Sequence, residues 1–342
     1  MEIKQQKLEE KYDPIKTDLT EMLGIRYPVI MAPMFLVSNA KMVIAASKQG
    51  ITGAIPALNY RTNAQFRLAL DELTEKCEGP YGINLIANKS NVKLEEQLET
   101  CLEYKVPYLI TSLGNPKKII ELCHERGMKV FCDVVDEKYA QKVQDLGADA
   151  LIAVNREAGG HAGNIPAKEL IPLLKKHCSI PVISAGGVGD GEGLKEKLEL
   201  GACGISMGSP FIATHEADVS DDYKNAIVDY GSNDIVMTTK LSGTPCTVIN
   251  TPYVQKTGTK QNWLEALLNK NKKLKKFVKM LTFYRGMKML EKAAMNTTYK
   301  TVWCAGPSIA YVTSIQSVSD VVDNLIGGYW EVSRKKETHK DE

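Results

Sequence analysis

Eight short runs of apolar and β-branched residues recur at near-regular intervals through the first 209 positions. They are YPVIMAPM (27–34), ITGAIPA (51–57), YGINLIA (81–87), VPYLITS (106–112), KVFCDVV (129–135), ADALIAV (148–154), IPVISAGG (180–187) and CGISMGS (203–209). None alternates apolar with polar residues, so each suits a strand buried on both faces, as in a parallel sheet. Amphipathic segments separate them, such as NPKKIIELCHERG (115–127), DEKYAQKVQDLG (136–147) and GEGLKEKLELG (191–201). Each of these three ends in a glycine, where a helix would stop. Eight strand–helix units over about 200 residues predict a closed (β/α)8 TIM barrel of the α/β class. An open doubly wound sheet would carry GxGxxG in its first β–α turn, and APMFLVSNA (32–40) does not. GGVGDGEG (186–193) also has the wrong spacing, and no P-loop is present.

After the eighth run the pattern changes. Residues 234–254 read as extended, in the manner of a hairpin. Residues 262–295 read as helical, and 310–326 as a final amphipathic helix. The organisation expected is a barrel from 14–250 and 306–332, a mostly helical extension (251–305) beside the barrel mouth, and a disordered tail (333–342). Six lysines between Lys270 and Lys279 suit a solvated helix face, with a docking patch for an acidic partner as the sharper reading.

The 342 residues carry 43 basic and 41 acidic side chains, a net charge of +2. Nothing in that balance supports bulk nucleic-acid binding. The first residues, MEIKQQKLEEKYDPIK, lack the apolar core of a secretory signal, and no run approaches the roughly 20 apolar residues of a membrane span. The eight cysteines are scattered without a CxxC pair. A reduced, cytoplasmic protein without disulfides or a metal site is expected.

A barrel of this kind places its chemistry at the C-terminal ends of the strands. Position therefore nominates Ala32, Pro33 and Met34 after the first strand and Asn84 within the third. Ser112 and Gly114 follow the fourth, and Asp133 closes the fifth. Glu157 to His161 follow the sixth, Gly186 and Gly187 the seventh, and Gly208 and Ser209 the eighth. The loops AGGVGDGEG and SMGSP bring no basic side chain. Their backbone N–H groups could cradle a phosphate, against the plainer reading that the glycines only make tight turns. Asn84 is either a core amide bonded to its neighbours or an amide facing a ligand. His161 lies in NREAGGHAGN (155–164), flanked by glycines that let backbone approach a ligand, and its ordinary pKa near 6.5 suits proton transfer. No HxxxH or HExxH pair occurs. His124, His177 and His339 read as structural or solvated, while His215 follows the eighth strand and could face the mouth.

Taken together, YPVIMAPM, GINL, EAGGHAG, IPVISAGGV, LGACGISMGSPF and VWCAGPSI resemble the nitronate monooxygenase family, from about Leu19 to Ile326. That family comprises FMN-dependent TIM barrels. The resemblance implies that Asn84 contacts the flavin, that Gly159 and Gly160 lie beside it, and that His161 is the catalytic histidine. It implies further that Gly187 binds the phosphate, with Ser206, Met207, Gly208 and Ser209 standing where the family has QMGT. Ala32, Pro33, Met34 and Gly186 join the cofactor set by position. The implied reaction is oxidation of an alkyl nitronate by O2 to a carbonyl compound and nitrite. The alternatives are an NAD(P)H-dependent reductase like enoyl-acyl-carrier-protein reductase II, with a carrier protein as partner, and a non-catalytic flavin- or phosphate-ligand-binding protein. The family usually reads Q-G-x-E-A-G-G-H, and here the first two places are Val154 and Asn155.

Overall fold

The computed structural model describes residues 11–88, 91–240, 245–260 and 302–338. The strands in chain order are β1 (Val29–Met31), β2 (Thr52–Pro56), β3 (Gly82–Ile86), β4 (Tyr108–Ser112), β5 (Lys129–Val134), β6 (Ala150–Val154), β7 (Gly160–His161), β8 (Val182–Ala185), β9 (Gly204–Met207), β10 (Ile235–Thr238) and β11 (Cys246–Ile249). All except β7, β10 and β11 form one closed parallel barrel, in which β9 returns to pair with β1 in the register Ile30↔Ser206. Each barrel strand falls within one of the eight apolar runs, and the fold is the expected TIM barrel.

The helices are α1 (Asp18–Leu23), α2 (Ala40–Ser47), α3 (Asn63–Lys76), α4 (Leu94–Glu103), α5 (Lys117–His124), α6 (Glu137–Asp145), α7 (Ala167–His177), α8 (Gly191–Glu199), α9 (Ser209–Ile212), α10 (Asp221–Asp229), α11 (Pro252–Thr257) and α12 (Val318–Thr338). Several of them start at a capping side chain. Asp136 accepts the Tyr139 N–H at 2.8 Å to open α6, and Asp190 accepts the Gly193 N–H at 2.8 Å to open α8. Beyond α5, α6 and α8 the chain turns through Gly127, Gly147 and Gly201 at φ +72°, +93° and +100°.

Helix α12 packs against both α8 and α2 and so fills the eighth place in the helical ring. Its contact with α8 is backbone-close: a Cβ on Gly191 would lie 1.9 Å from the Tyr329 nitrogen. This revises the expected C-terminus. Residues 307–311 form a 3-10 turn, the helix begins at Val318, and it continues through Thr338 instead of giving way to a disordered tail at Ser333. Val318, Val321, Val322, Leu325 and Ile326 are buried along its inner face, with Tyr329 and Trp330 packed against the core beyond them. Residues 339–342, including His339, lie outside the described residues. So do 261–301, and with them the expected helical extension and the lysine-rich segment.

Inside the barrel, Leu19 of α1 joins Ile30, Ala54, Tyr108, Ile110, Phe131, Ile152 and Ile183 in one cluster. Tyr108 stacks on Phe131 at 5.0 Å, and its ring fills the space where a Cβ on Gly82 would stand, 2.3 Å away. The barrel is thus a packed core below its mouth, which confines any ligand to the C-terminal rim.

Candidate active site

Inward-facing side chains change character along the strands. On β3, Gly82 gives way to Asn84; on β4, Tyr108 and Ile110 give way to Ser112; on β5, Phe131 gives way to Asp133. Above them opens a cavity of about 790 Å³, within the size range of small-molecule and cofactor sites. Ala32, Pro33, Met34, Asn84, Gly159, Gly160, His161, Gly186, Gly187, Ser206, Met207, Gly208 and Ser209 all line it. The sequence nominated each of these, and the barrel brings them together. His215 does not line the cavity; its backbone N–H bonds the Gln316 carbonyl at 3.0 Å. His124 sits on α5, with Nε2 2.9 Å from Asp149.

The first loop is held by its own polar contacts. Ala32 donates its N–H to the Met207 carbonyl at 2.8 Å, and Met34 donates to Ser38 Oγ at 2.8 Å. On the opposite side, His161 is part of a strand rather than a free loop. Strand β7 pairs antiparallel with β11, in the register His161↔Cys246 and Gly160↔Thr247, and β10 extends this into a three-stranded sheet. The Thr247 hydroxyl donates to the Ala158 carbonyl at 2.6 Å, locking the loop before the histidine. The expected hairpin of 234–254 is therefore present, but its second strand also carries the histidine. Two residues of β7 are too few to give a periodic signal; the unpaired edge of β11 was the available hint.

His161 lines the cavity as an exposed side chain. Desolvation by the surrounding walls lowers its pKa from the ordinary 6.5, which favours the neutral ring at neutral pH. Gly159 serves the packing behind the loop: a Cβ there would meet Ser209 Oγ at 2.8 Å and the Gly306 nitrogen at 2.9 Å. Gly306 donates its N–H to Ser209 Oγ at 2.8 Å, so the late VWCAGPSI segment backs the mouth.

Asn155 does not reach the cavity. It is fully buried, donates from Nδ2 to the Gly186 carbonyl at 3.1 Å, and accepts the Glu157 N–H on Oδ1 at 2.8 Å. It ties the loop after β6 to the loop after β8. The cavity wall at this point is Val154, an apolar side chain.

Several cavity groups went unrecognised in the sequence. Cys246 and Cys304 both line the cavity, with sulfurs 3.7 Å apart. The neighbouring Cys304 thiol and burial push Cys246 well above the usual thiol range, which makes it a small apolar group and no nucleophile. Asn84, Ser112 and Asp133 form a hydrogen-bonded chain. Asn84 Nδ2 donates to the Ile110 carbonyl at 3.2 Å and to Ser112 Oγ at 2.7 Å, and Ser112 Oγ donates to Asp133 Oδ2. Burial raises the Asp133 carboxyl to about 6 despite the Ser112 bond that lowers it. Among the described residues the lining includes Asp133, Asp136 and Glu157 but no lysine or arginine. Among them, too, no cluster of His, Cys, Asp or Glu is suited to a metal, and no helix is long and apolar enough to cross a membrane.

The family model for nitronate monooxygenase matches residues 16–328. The chain belongs to the nitronate monooxygenase family. A (3aS,4S,5R,7aS)-5-hydroxy-7a-methyl-1-oxo-octahydro-1H-indene-4-carboxyl-CoA dehydrogenase of Rhodococcus jostii is 30% identical over 240 residues, 70% of this chain and 67% of that one. A probable nitronate monooxygenase of Staphylococcus haemolyticus is 29% identical over 286 residues, 69% of this chain and 79% of that one. Among solved structures, FabK from Thermotoga maritima superposes with a TM-score of 0.81 at 28% identity, covering 95% of this chain and 99% of that one. A nitroalkane oxidase from Streptomyces ansochromogenes shares the fold with a TM-score of 0.78 at 20% identity, covering 93% of this chain and 99% of that one. Proteins similar to this chain thus carry names of more than one activity, and the assignment of a reaction rests on the site.

Proposed function

We propose that the chain is an FMN-dependent oxidoreductase that oxidises alkyl nitronates with O2 to a carbonyl compound and nitrite. The observation that carries this reading is the placement of neutral His161 on the same cavity as the glycine loops after β8 and β9. The residues present fit the cofactor. The cavity volume suits a nucleotide-sized ligand, and the lining is mostly apolar with few polar groups. Gly187, at φ +79°, and Gly208 bring bare backbone to the corner where a phosphate would sit. A Cβ on Gly208 would already touch Met34 Sδ at 3.3 Å. FMN, when bound, supplies the two-electron redox chemistry.

The chain's own residues do the rest. Gly186, Gly187, Gly208 and Ser209, with Ser206 and Met207, hold the phosphate side; Ala32, Pro33, Met34, Asn84, Gly159 and Gly160 enclose the ring. His161 orients an anionic nitronate through a hydrogen bond, or takes the proton of a neutral nitroalkane at an imidazole nitrogen. The Val154 wall and the packed barrel below exclude water from that point.

A second reading is an NAD(P)H-dependent reductase of an unsaturated thioester, with His161 as proton donor. It is favoured by the coverage of FabK, 95% of this chain, and by the carboxyl-CoA dehydrogenase similarity. Oxygen uptake with a nitronate and no nicotinamide supports the first reading. Bleaching of the flavin by NADH or NADPH, with turnover of an enoyl thioester, supports the second. A purified protein without a flavin absorption band, unrestored by added FMN, would remove both. Unchanged turnover in a His161→Ala variant would remove the catalytic role of that histidine.

A further inference from the structure

We infer that Asp133 is a positioning residue of this site: acting through Ser112, it holds the Asn84 amide so that Oδ1 is the atom offered to the cavity. That point of the wall then accepts an N–H from a ligand. The imide of a flavin ring is the donor if the flavin reading holds; the chain itself stands without it.

The direction of the chain follows from what each group can do. A backbone carbonyl only accepts, so the Asn84 atom 3.2 Å from the Ile110 oxygen must be the amide nitrogen. The same nitrogen lies 2.7 Å from Ser112 Oγ, which accepts from it. Ser112 has one proton, and it goes to Asp133 Oδ2. The sequence Asn84 N–H to Ser112 O–H to Asp133 carboxylate therefore has one polarity, and it leaves Oδ1 as the unused end of the amide. All three residues line the cavity, on adjacent strands β3, β4 and β5. Asn84 is only 7% exposed, so no bulk solvent competes to turn it.

The device is conditional on Asp133 being ionised. A carboxylic acid accepts more weakly than a carboxylate and can itself donate to Ser112 Oγ. Protonation then removes the single polarity at Ser112 and leaves the Ile110 carbonyl as the one remaining hold on the amide. Burial brings this titration to about 6. The other titratable groups around Asp133 are Cys132 on its own strand, Tyr139 from α6, and Asp136, Glu157 and His161 on the cavity wall. The Cys132 thiol, raised to about 12, and the raised Tyr139 phenol stay neutral through this range. His161 titrates below 6.5 and is common to every variant used here.

The decisive comparison is Asp133→Asn. An asparagine cannot titrate, and its amide, like the protonated acid, can either accept from or donate to Ser112. Ligand-free protein is titrated with FMN by flavin fluorescence at pH 7.5 and pH 5. The wild type is expected to lose about tenfold more affinity on acidification than Asp133→Asn, which already binds about tenfold more weakly than wild type at pH 7.5. Ser112→Ala is expected to bind more weakly at pH 7.5 and to lose the same excess. The FMN phosphate and His161 titrate in all three proteins, so the difference between them is what is read. Asp133→Asn with the full wild-type pH dependence overturns the inference. A second measurement needs no ligand: the side-chain NH2 resonances of Asn84 should follow the Asp133 titration in wild type and cease to do so in Ser112→Ala. Resonances indifferent to that titration also overturn it. Absence of FMN binding at either pH, with those resonances still tracking Asp133, removes the flavin reading and leaves the positioning role.

Discussion

The cavity has two walls built on different principles. The corner formed by Gly186, Gly187 and Gly208, beside Ser209, is made largely of backbone, at glycines where an added side chain would press on its neighbours. A Cβ on Gly186 would stand 2.4 Å from the Ala158 nitrogen, and that residue has φ +111°. The opposite wall, with Asn84, Ser112, Asp133 and His161, is made of side chains whose orientation other side chains decide. A backbone corner offers fixed donors and no charge of its own. A side-chain wall can be tuned, and it carries the cost of burying a carboxyl among strands. Under the proposed function, the backbone corner would fix a ligand in place while the side-chain wall would set how it is oriented and acted upon.

Breaking the side-chain wall at its reactive point has the largest expected effect. Under the proposed function, His161→Ala lowers turnover by about 10²–10⁴-fold while leaving FMN retention intact, read from oxygen uptake and the flavin spectrum. With a neutral nitroalkane as substrate, the wild-type rate should rise with pH through a value below 6.5, as the imidazole loses its proton. A limb centred above 6.5 would contradict that role.

The backbone wall should break by strain instead. Gly186→Ala forces a side chain into a left-handed conformation against the Ala158 backbone. It is expected to cost about 3 kcal/mol of stability and to release flavin, measured by denaturant unfolding and by the flavin retained on a desalting column. A variant as stable as wild type would mean that the corner is looser than its contacts indicate.

The next effect has the opposite sign. The Asp133 carboxyl titrates near 6 in the fold and near 3.8 unfolded, so the folded chain holds the extra proton between these values. Stability therefore falls as pH rises through that window. Asp133→Asn removes this loss and should stabilise the ligand-free protein at pH 7.5 by about 1–2 kcal/mol, with little change at pH 4. Equal stabilisation at both pH values would place the effect elsewhere.

The smallest expected effect sharpens the link between the walls. Thr247→Val deletes the bond to the Ala158 carbonyl that steadies the loop before His161. About 1 kcal/mol of stability and a few-fold loss in kcat are expected, with flavin affinity unchanged. Loss of flavin with retained kcat would show that this bond serves the backbone corner.

How legible these parts were in the sequence follows the same division. Gly186 and Gly187 of AGGVGDGEG are short-range signals, because a turn with positive φ is a requirement of the residue itself. His161 was legible from its glycine neighbours and its place after the sixth barrel strand. Its strand β7 was not, since its partner Cys246 is remote in the chain. Asn155 illustrates the limit. It carries an amide one position from where the family keeps a glutamine, and only the fold shows both ends of that amide spent on Gly186 and Glu157.

By itself the sequence determined the barrel, and it placed the glycine turns and His161 at the C-terminal rim. Apolar runs, helix stops and glycine turns are set by local periodicity and backbone sterics. Only the tertiary structure decided that α12 closes the helical ring, that β11 pairs with the strand bearing His161, and that Asn84 meets Asp133 through Ser112. These pairings depend on register between strands and on side chains meeting across the barrel, and no local pattern encodes which remote groups will face each other once the sheet closes.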